Sequence, residues 1–334
     1  MNVDDADVPA IAARWIGEGH RIALGTVVQT WGSAPRQAGS QIAVRDDGAF
    51  VGSVSGGCVE GAVIEEARAA MNDNSIRLLE FGVADEKAWS VGLACGGHIQ
   101  IFVEPLAGAK GAAALAAVND ARRTGRTIVR AVDLSTGEER LVDPATDSLP
   151  LGLAAAQAVR TDQSLRTEID GRPWFLGVFA PPLDLAIIGA VHVAQPLAKM
   201  ATIIGYSVRV IDPRTSFATA ERFPGIALSH EWPEEALARS PLGARSALIV
   251  LAHDPKLDDP ALAAALASPA FYIGALGSKR THAARLARLK ARGFDDGTLA
   301  HIHGPVGLAI GAKSPAEIAV SILAQMTERL RTRP

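Results

Sequence analysis

The chain has 334 residues, a length that suggests about two domains. Hydrophobic residues make up 48% and charged residues 21%, which excludes a disordered chain and allows a sizeable core. A formal net charge of −3 argues against a dedicated nucleic-acid binder, and two cysteines exclude a disulfide scaffold and point to a reducing, cytoplasmic compartment. The acidic opening MNVDDADVPA lacks the apolar core of a signal peptide, and no run of about 18 apolar residues is unbroken, so no membrane segment is expected.

In chain order, residues 21–29 read as a β-strand, followed by a loop rich in turn residues. Residues 41–45 and 49–54 read as a β-hairpin closed by Asp46-Asp47-Gly48, where Asp-Gly supplies the positive-φ position. Ser55-Gly56-Gly57-Cys58 breaks that strand, and apolar residues at helical spacing (Val59, Ala62, Val63, Ala67, Ala70) predict a helix over 59–72. Ala94-Cys95-Gly96-Gly97 precedes an alternating strand over 99–103. Residues 107–183 offer an Ala-rich helix, a few short strands including 127–132, a loop over 142–150 and a plausible linker at Ala180-Pro181-Pro182. Beyond Leu183 the pattern is cleaner: strands at 185–189, 207–212, 247–251 and 271–275, with helices at 193–204, 257–267, 281–292 and 315–330. Strands alternating with helices imply a parallel, doubly wound sheet. Charge divides the same way, with seven Lys and Arg against fourteen Asp and Glu in residues 1–107, nine against nine in 108–183, and seventeen against thirteen in 184–334.

Four segments carry chemistry. Gly189-Ala190-Val191-His192-Val193-Ala194 lies between strand and helix and follows a dinucleotide fingerprint at its first and third positions, with Asp212 in the acidic position. Val191 stands where the middle glycine lets backbone approach a pyrophosphate. The Rossmann-like fold survives that change; NAD(P) binding in the usual pose is not expected to.

Gly52-Ser53-Val54-Ser55-Gly56-Gly57-Cys58 leaves backbone N–H groups free to face an anion at a helix N-terminus, where a Cys58 thiolate is stabilised. The alternative is a tight strand–helix junction with a small buried thiol. Cys95, before Gly96 and Gly97, forms a second glycine-flanked thiol, and the two loops make one soft-metal or sulfur site if they converge.

The third segment, 31–40, offers Ser33, Ser40, free amides and the Arg36 fork, which suits phosphate; the alternative is a solvated loop. In the fourth, 272–282, a strand ends in glycines and Lys279, Arg280 and His282 open a helix at the carboxyl end of the sheet, where doubly wound folds bind ligands. Arg285, Arg288 and Arg292 are expected to form a solvated face of that helix. Residues 307–314 resemble a Walker A loop but carry Ala312 at its second glycine. His253, His301 and His303 lack metal spacing, and no G-x-S-x-G elbow occurs.

Together the segments resemble the XdhC/CoxI family of molybdenum-cofactor chaperones that serve xanthine dehydrogenase-type molybdoenzymes. The likeness runs through 30–40, GSVSGGCVEG (52–61), WSVGLACGG (89–97), 187–197, 210–214, AHDPKL (252–257), 272–282 and 304–323. It implies an α/β chain: an N-terminal α/β cofactor-handling region (1–180, its 107–180 stretch outside the motifs) with a glycine-rich strand–helix loop, then a C-terminal Rossmann-like doubly wound parallel sheet (183–334).

The resemblance implies a chaperone with no turnover of its own. It binds the molybdenum cofactor or its cytosine dinucleotide form, protects it while a cysteine desulfurase exchanges its terminal oxo ligand for sulfur, and delivers it to the apo-molybdoenzyme. By this likeness Cys58 and Cys95 face the molybdenum or its sulfur, and Ser33, Arg36, Gly56 and Gly57 hold the pterin phosphate. Ser55, Gly96 and Gly97 belong with them, and Gly189, His192, Asp212, Lys279, Arg280 and His282 are the candidates in the second domain. The family usually has Gly-Ala-Gly-His where this chain has Gly189-Ala190-Val191-His192. Two other functions stay open: an NAD(P)-dependent oxidoreductase and a sulfur carrier using Cys58 or Cys95. Base rates alone favour a homodimer.

Overall fold

The structure, a computed structural model, describes residues 7–32, 36–82, 97–106 and 108–332. The chain divides into two units, Met1–Pro181 and Pro182–Pro334.

The first unit holds two antiparallel sheets. Strand β1 (Ile22–Trp31) is central to the first sheet, because β2 (Gln41–Arg45) and β5 (His98–Pro105) pair with its two edges; β3 (Phe50–Gly52) and β4 (Arg77–Phe81) flank them, giving the order β3-β2-β1-β5-β4. The expected hairpin forms between β2 and β3, with Gly48 at φ +92° in the turn. Helix α2 (Glu60–Asp73) lays Val63, Ala67, Ala70 and Met71 on one face of this sheet against Ile42, Val44, Ile101 and Val103. Helix α1 (Val8–Gly17), capped by the Asp7 carboxylate at Ala10 N–H, buries Val8, Ala12 and Trp15 on the other face; α3 (Gly108–Arg123) joins it through Leu115.

The second sheet runs β7 (Glu139–Val142), β6 (Ile128–Asp133), β9 (Arg172–Phe179), β8 (Leu165–Ile169), with α4 (Pro150–Thr161) packed on it through Leu151, Ala155 and Ala158. Phe102, Val132 and Phe175 form an apolar contact between the two sheets.

The second unit is a six-stranded parallel sheet. Strands β10 (Asp184–Ile188), β11 (Ser207–Ile211), β12 (Ala227–Ser229), β13 (Ser246–Val250), β14 (Tyr272–Ala275) and β15 (Ile302–His303) stand in the order β12-β11-β10-β13-β14-β15. Along β10, Leu185 and Ile187 face the layer of α5 (Ala194–Ile203) and α10 (Pro315–Arg331), while Ala186 and Ile188 face α6 (Pro233–Arg239), α7 (Pro255–Leu266) and α8 (Lys279–Ala291). Burial on both faces explains the unbroken apolar run. The chain winds outward from β10 to β11 and then returns to β13 on its other side. That puts a topological switch point between the carboxyl ends of β10 and β13, where such sheets bind ligands. A four-residue helix, α9 (Asp296–Leu299), leads into β15.

Candidate functional site

The registers of the first sheet gather three motifs at one end. β1 ends at Trp31 opposite His98 at the start of β5; β2 starts at Gln41 opposite Thr26; and β3 ends at Gly52 opposite Ile42. The loop leading to Arg36, the glycine-rich loop 53–59 and the buried Gly97 therefore leave the sheet at its same end. Ser33, Cys95 and Gly96 lie outside the described residues.

The glycine-rich loop is organised by a residue that the sequence motifs do not single out. Glu60 opens α2, and its buried carboxylate turns back into the loop. One oxygen accepts from Ser53 Oγ (2.7 Å), Val54 N–H (3.1 Å) and Ser55 N–H (2.9 Å); the other accepts from Ser55 Oγ (2.5 Å) and Gly57 N–H (2.9 Å). Ser55 Oγ in turn accepts from Cys58 N–H and Val59 N–H, Ser53 Oγ accepts from Gly56 N–H, and Ser53 N–H donates to Gln41 O. Every N–H from Ser53 to Val59 is thus bound within the chain. The expectation that these amides face an external anion is corrected: the nest forms, and its anion is Glu60. Burial opposes that charge, but the Ser55 and Ser53 hydroxyls and the Ser55 amide outweigh it and pull the carboxyl down to about 2. An acidic residue directly behind a glycine loop, in the first turn of a helix, was the available signal.

Gly56 and Gly57 take φ of +78° and +114°, and the space where a Cβ would stand is open at both, so the outer face of the loop is accessible. The half-buried Cys58 packs on the apolar layer beneath α2. On the loop's flank lies a polar cavity of about 310 Å³. Arg36, Ser40, Gln41 and Ser53 line it, together with Arg122, which is paired to Asp7 at 2.5 Å.

In the second unit the candidates lie at the carboxyl ends of the strands. Gly189 (φ +97°) follows β10, and a Cβ there would meet the Ala252 backbone at 2.8 Å, so the turn demands glycine. Val191 folds its side chain onto the core of the α5–α10 layer, and His192 is exposed. Asp212 is fully buried. It accepts from Ala190 N–H (2.8 Å), from Arg214 N–H (3.0 Å), and from the Arg214 guanidinium at 2.8 and 2.7 Å. Burial would raise its pKa, but these donors together hold the carboxyl below the usual range. The position that would receive a ribose hydroxyl is committed to the protein's own groups.

Lys279 and Arg280 are exposed in the first turn of α8, where Ser278 caps by accepting Thr281 N–H. His282 packs on Gly304, and burial followed by the charge of Arg285 lowers its pKa. The solvated arginine face is corrected for two members. Arg285, 1% exposed, donates to Asp258 (3.2 Å) and to Leu276 O (3.0 Å), and Arg288 forks onto Asp259 at 2.6 and 2.9 Å. The cause is the acidic pair on α7, which faces α8. His253, at φ +60° after β13, adds an exposed imidazole at the same edge.

Residues 15–82 match the profile of the XdhC and CoxI family, and residues 185–326 match the XdhC Rossmann domain. The chain is 31% identical over 318 residues to the molybdenum cofactor insertion chaperone PaoD of Escherichia coli K12, covering 95% of this chain and 85% of that protein. The chain belongs to the XdhC and CoxI family. A second relative, named as a probable xanthine dehydrogenase subunit in Bacillus subtilis 168, is 27% identical, covering 91% of this chain and 92% of its own length. A crystal structure titled as a xanthine dehydrogenase from Bacillus halodurans superposes with a TM-score of 0.72 at 25% identity, covering 98% of this chain and 97% of that one. The Rossmann-like reading of the second unit holds. The family match over 15–82 takes in Arg36, the whole glycine-rich loop and Glu60. Among the described residues, no cluster of three or more His, Cys, Asp or Glu is placed to hold a metal ion, and no helix is long and apolar enough to cross a membrane.

Proposed function

We propose that this member of the XdhC and CoxI family is a chaperone for the molybdenum cofactor. It holds the cofactor while a cysteine desulfurase exchanges its terminal oxo ligand for sulfur, then hands it to an apo-enzyme of the xanthine dehydrogenase family. Family membership and the names of its relatives support the general role. The observation that carries the local assignment is the cavity beside the glycine-rich loop. A phosphate-bearing pterin needs cationic forks, hydroxyls and close backbone, and Arg36, Arg122, Ser40 and Ser53 surround that space while Gly56 and Gly57 leave the adjacent loop open. With the loop amides committed to Glu60, the phosphate would fall to Arg36 and the serines, and Cys58 on the same loop would offer a thiol to the cargo. Cys95 and Ser33 are assigned to this site on the family resemblance alone.

The test is equilibrium binding of purified molybdenum cofactor, with and without its cytosine nucleotide, to anaerobically purified protein. Near-stoichiometric binding supports the reading; no binding of either form removes it. Arg36→Ala is expected to weaken binding by about 1.5–3 kcal/mol, a tenfold to hundredfold change, with the melting temperature kept as the folding control. Unchanged affinity takes Arg36 out of the site.

Dinucleotide chemistry in the second unit is disfavoured by two local facts: the Asp212 carboxylate is spent on Arg214 and Ala190, and Val191 replaces the close-approach glycine. Calorimetric titration with NAD(H) is expected to show no micromolar isotherm, and such an isotherm would restore the oxidoreductase reading.

A further inference from the structure

The second unit has a cavity that the carboxyl-edge candidates do not share. It lies at the amino ends of β14 and β15, the opposite edge of the sheet from Gly189, Asp212 and Ser278. Its volume is about 510 Å³, within the range of small-molecule sites. Leu266, Phe271, Ile273 and Ala300 give it apolar walls. Its ionisable lining consists of Tyr272 and three potential cations, His301, His303 and Arg329, with no carboxylate.

Two of these groups are held in place, and the guanidinium has no carboxylate partner among the described residues. The Tyr272 ring stacks on His303 with centroids 4.8 Å apart and planes 9° apart, and Tyr272 Oη donates to Gln325 of α10 at 2.5 Å. Arg329, on the last turns of α10, is exposed and forms no ion pair among the described residues. Burial, then Arg329, then His301 lower the pKa of His303, while Glu328 pulls weakly the other way. A guanidinium and two imidazoles converge on a concave apolar space with no carboxylate among its lining, and an anion would supply the missing negative charge.

We propose that this cavity binds a small organic oxyanion, a carboxylate or phosphate monoester with an apolar body, whose head is met by Arg329 and His301 and whose body lies on Phe271 and Ile273. The assignment is independent of the chaperone reading, since none of the residues proposed for the cofactor lines the cavity. A bound anion favours protonated His303, so affinity rises as the pH falls below neutrality.

The experiment titrates the full-length protein with benzoate and phenyl phosphate, using benzamide and inorganic phosphate as controls. It follows the imidazole C2–H signals of His301 and His303 and measures affinity by calorimetry. At least one of the two organic anions is expected to bind tenfold or more tightly than benzamide and than inorganic phosphate, and to shift the His303 signal. Arg329→Ala and His301→Ala alter exposed side chains, so the melting temperature should hold, and Arg329→Ala should weaken binding at least tenfold. The proposal is overturned if neither organic anion binds, if benzamide binds as well, if inorganic phosphate binds equally, or if Arg329→Ala leaves the affinity unchanged.

Discussion

Arg130→Met is expected to lower the stability of the protein by about 3–5 kcal/mol, measured by urea unfolding at pH 7. Arg130 is 6% exposed on β6. Its guanidinium donates two parallel bonds of 2.8 Å to Glu104 on β5, and its Nε donates at 2.5 Å to Glu139 on β7. One cation therefore neutralises two carboxylates and joins the two sheets of the first unit. Burial works against its charge, but both glutamates outweigh that and raise its pKa further. Methionine fills much of the volume and so minimises the cavity. What remains is a pair of like charges with no cation, and such a pair relaxes by taking up a proton. The variant should therefore recover part of its lost stability between pH 7 and pH 5, where the wild type should not gain. A triple variant that also carries Glu104→Gln and Glu139→Gln should be more stable than Arg130→Met alone, because the repulsion is gone. A loss below about 1 kcal/mol, with no recovery on acidification, would mean that the triad does not join the sheets energetically.

Sequence pattern makes some of this legible for identifiable reasons. Strands buried on both faces are apolar runs, so β10, β13 and β14 read from sequence to within a residue or so of their ends, and β11 reads as well although Arg209 interrupts it. Asp46-Asp47-Gly48 announces the β2–β3 turn. The same Asp-Gly signal at Asp170-Gly171, both at positive φ, closes β8 on β9, but β8 (LRTEI) is half-exposed and has no apolar run to mark it as the partner of β9. The site is harder because its decisive contacts join residues whose relation no periodicity encodes. Arg285 looks like a solvated helix position until Asp258, 27 residues earlier, is seen facing it. Asp212 reads as a ribose ligand until Arg214 is seen folding back on it. Glycines, serines and a helix start predict an anion-binding loop, and one forms. That its anion is internal depends on the rotamer of a single glutamate.

That glutamate carries the second large effect. Glu60→Ala is expected to cost about 3–5 kcal/mol, because it strands three amides and two hydroxyls that now share one carboxylate in a partly buried loop. Glu60→Gln keeps the volume but turns an NH₂ toward donors, and should cost about 1–3 kcal/mol. The pH dependence separates charge from packing. The folded carboxyl is depressed from 4.5 to about 2, so its contribution is fully present above the unfolded value and is lost as the pH falls towards 2. The stability gap between wild type and Glu60→Gln should therefore narrow as the pH falls from 5 to 2.5. A constant gap would assign the effect to packing alone. In Glu60→Ala the nest loses its own anion while its donors remain. Formate or acetate should then raise the melting temperature of that variant and leave the wild type unmoved, and alkylation of the half-buried Cys58 should be faster in the variant until the carboxylate is added. If neither salt restores the variant, the loop is not an anion nest filled from within, and the case for moving the cofactor's phosphate to Arg36 loses its physical ground.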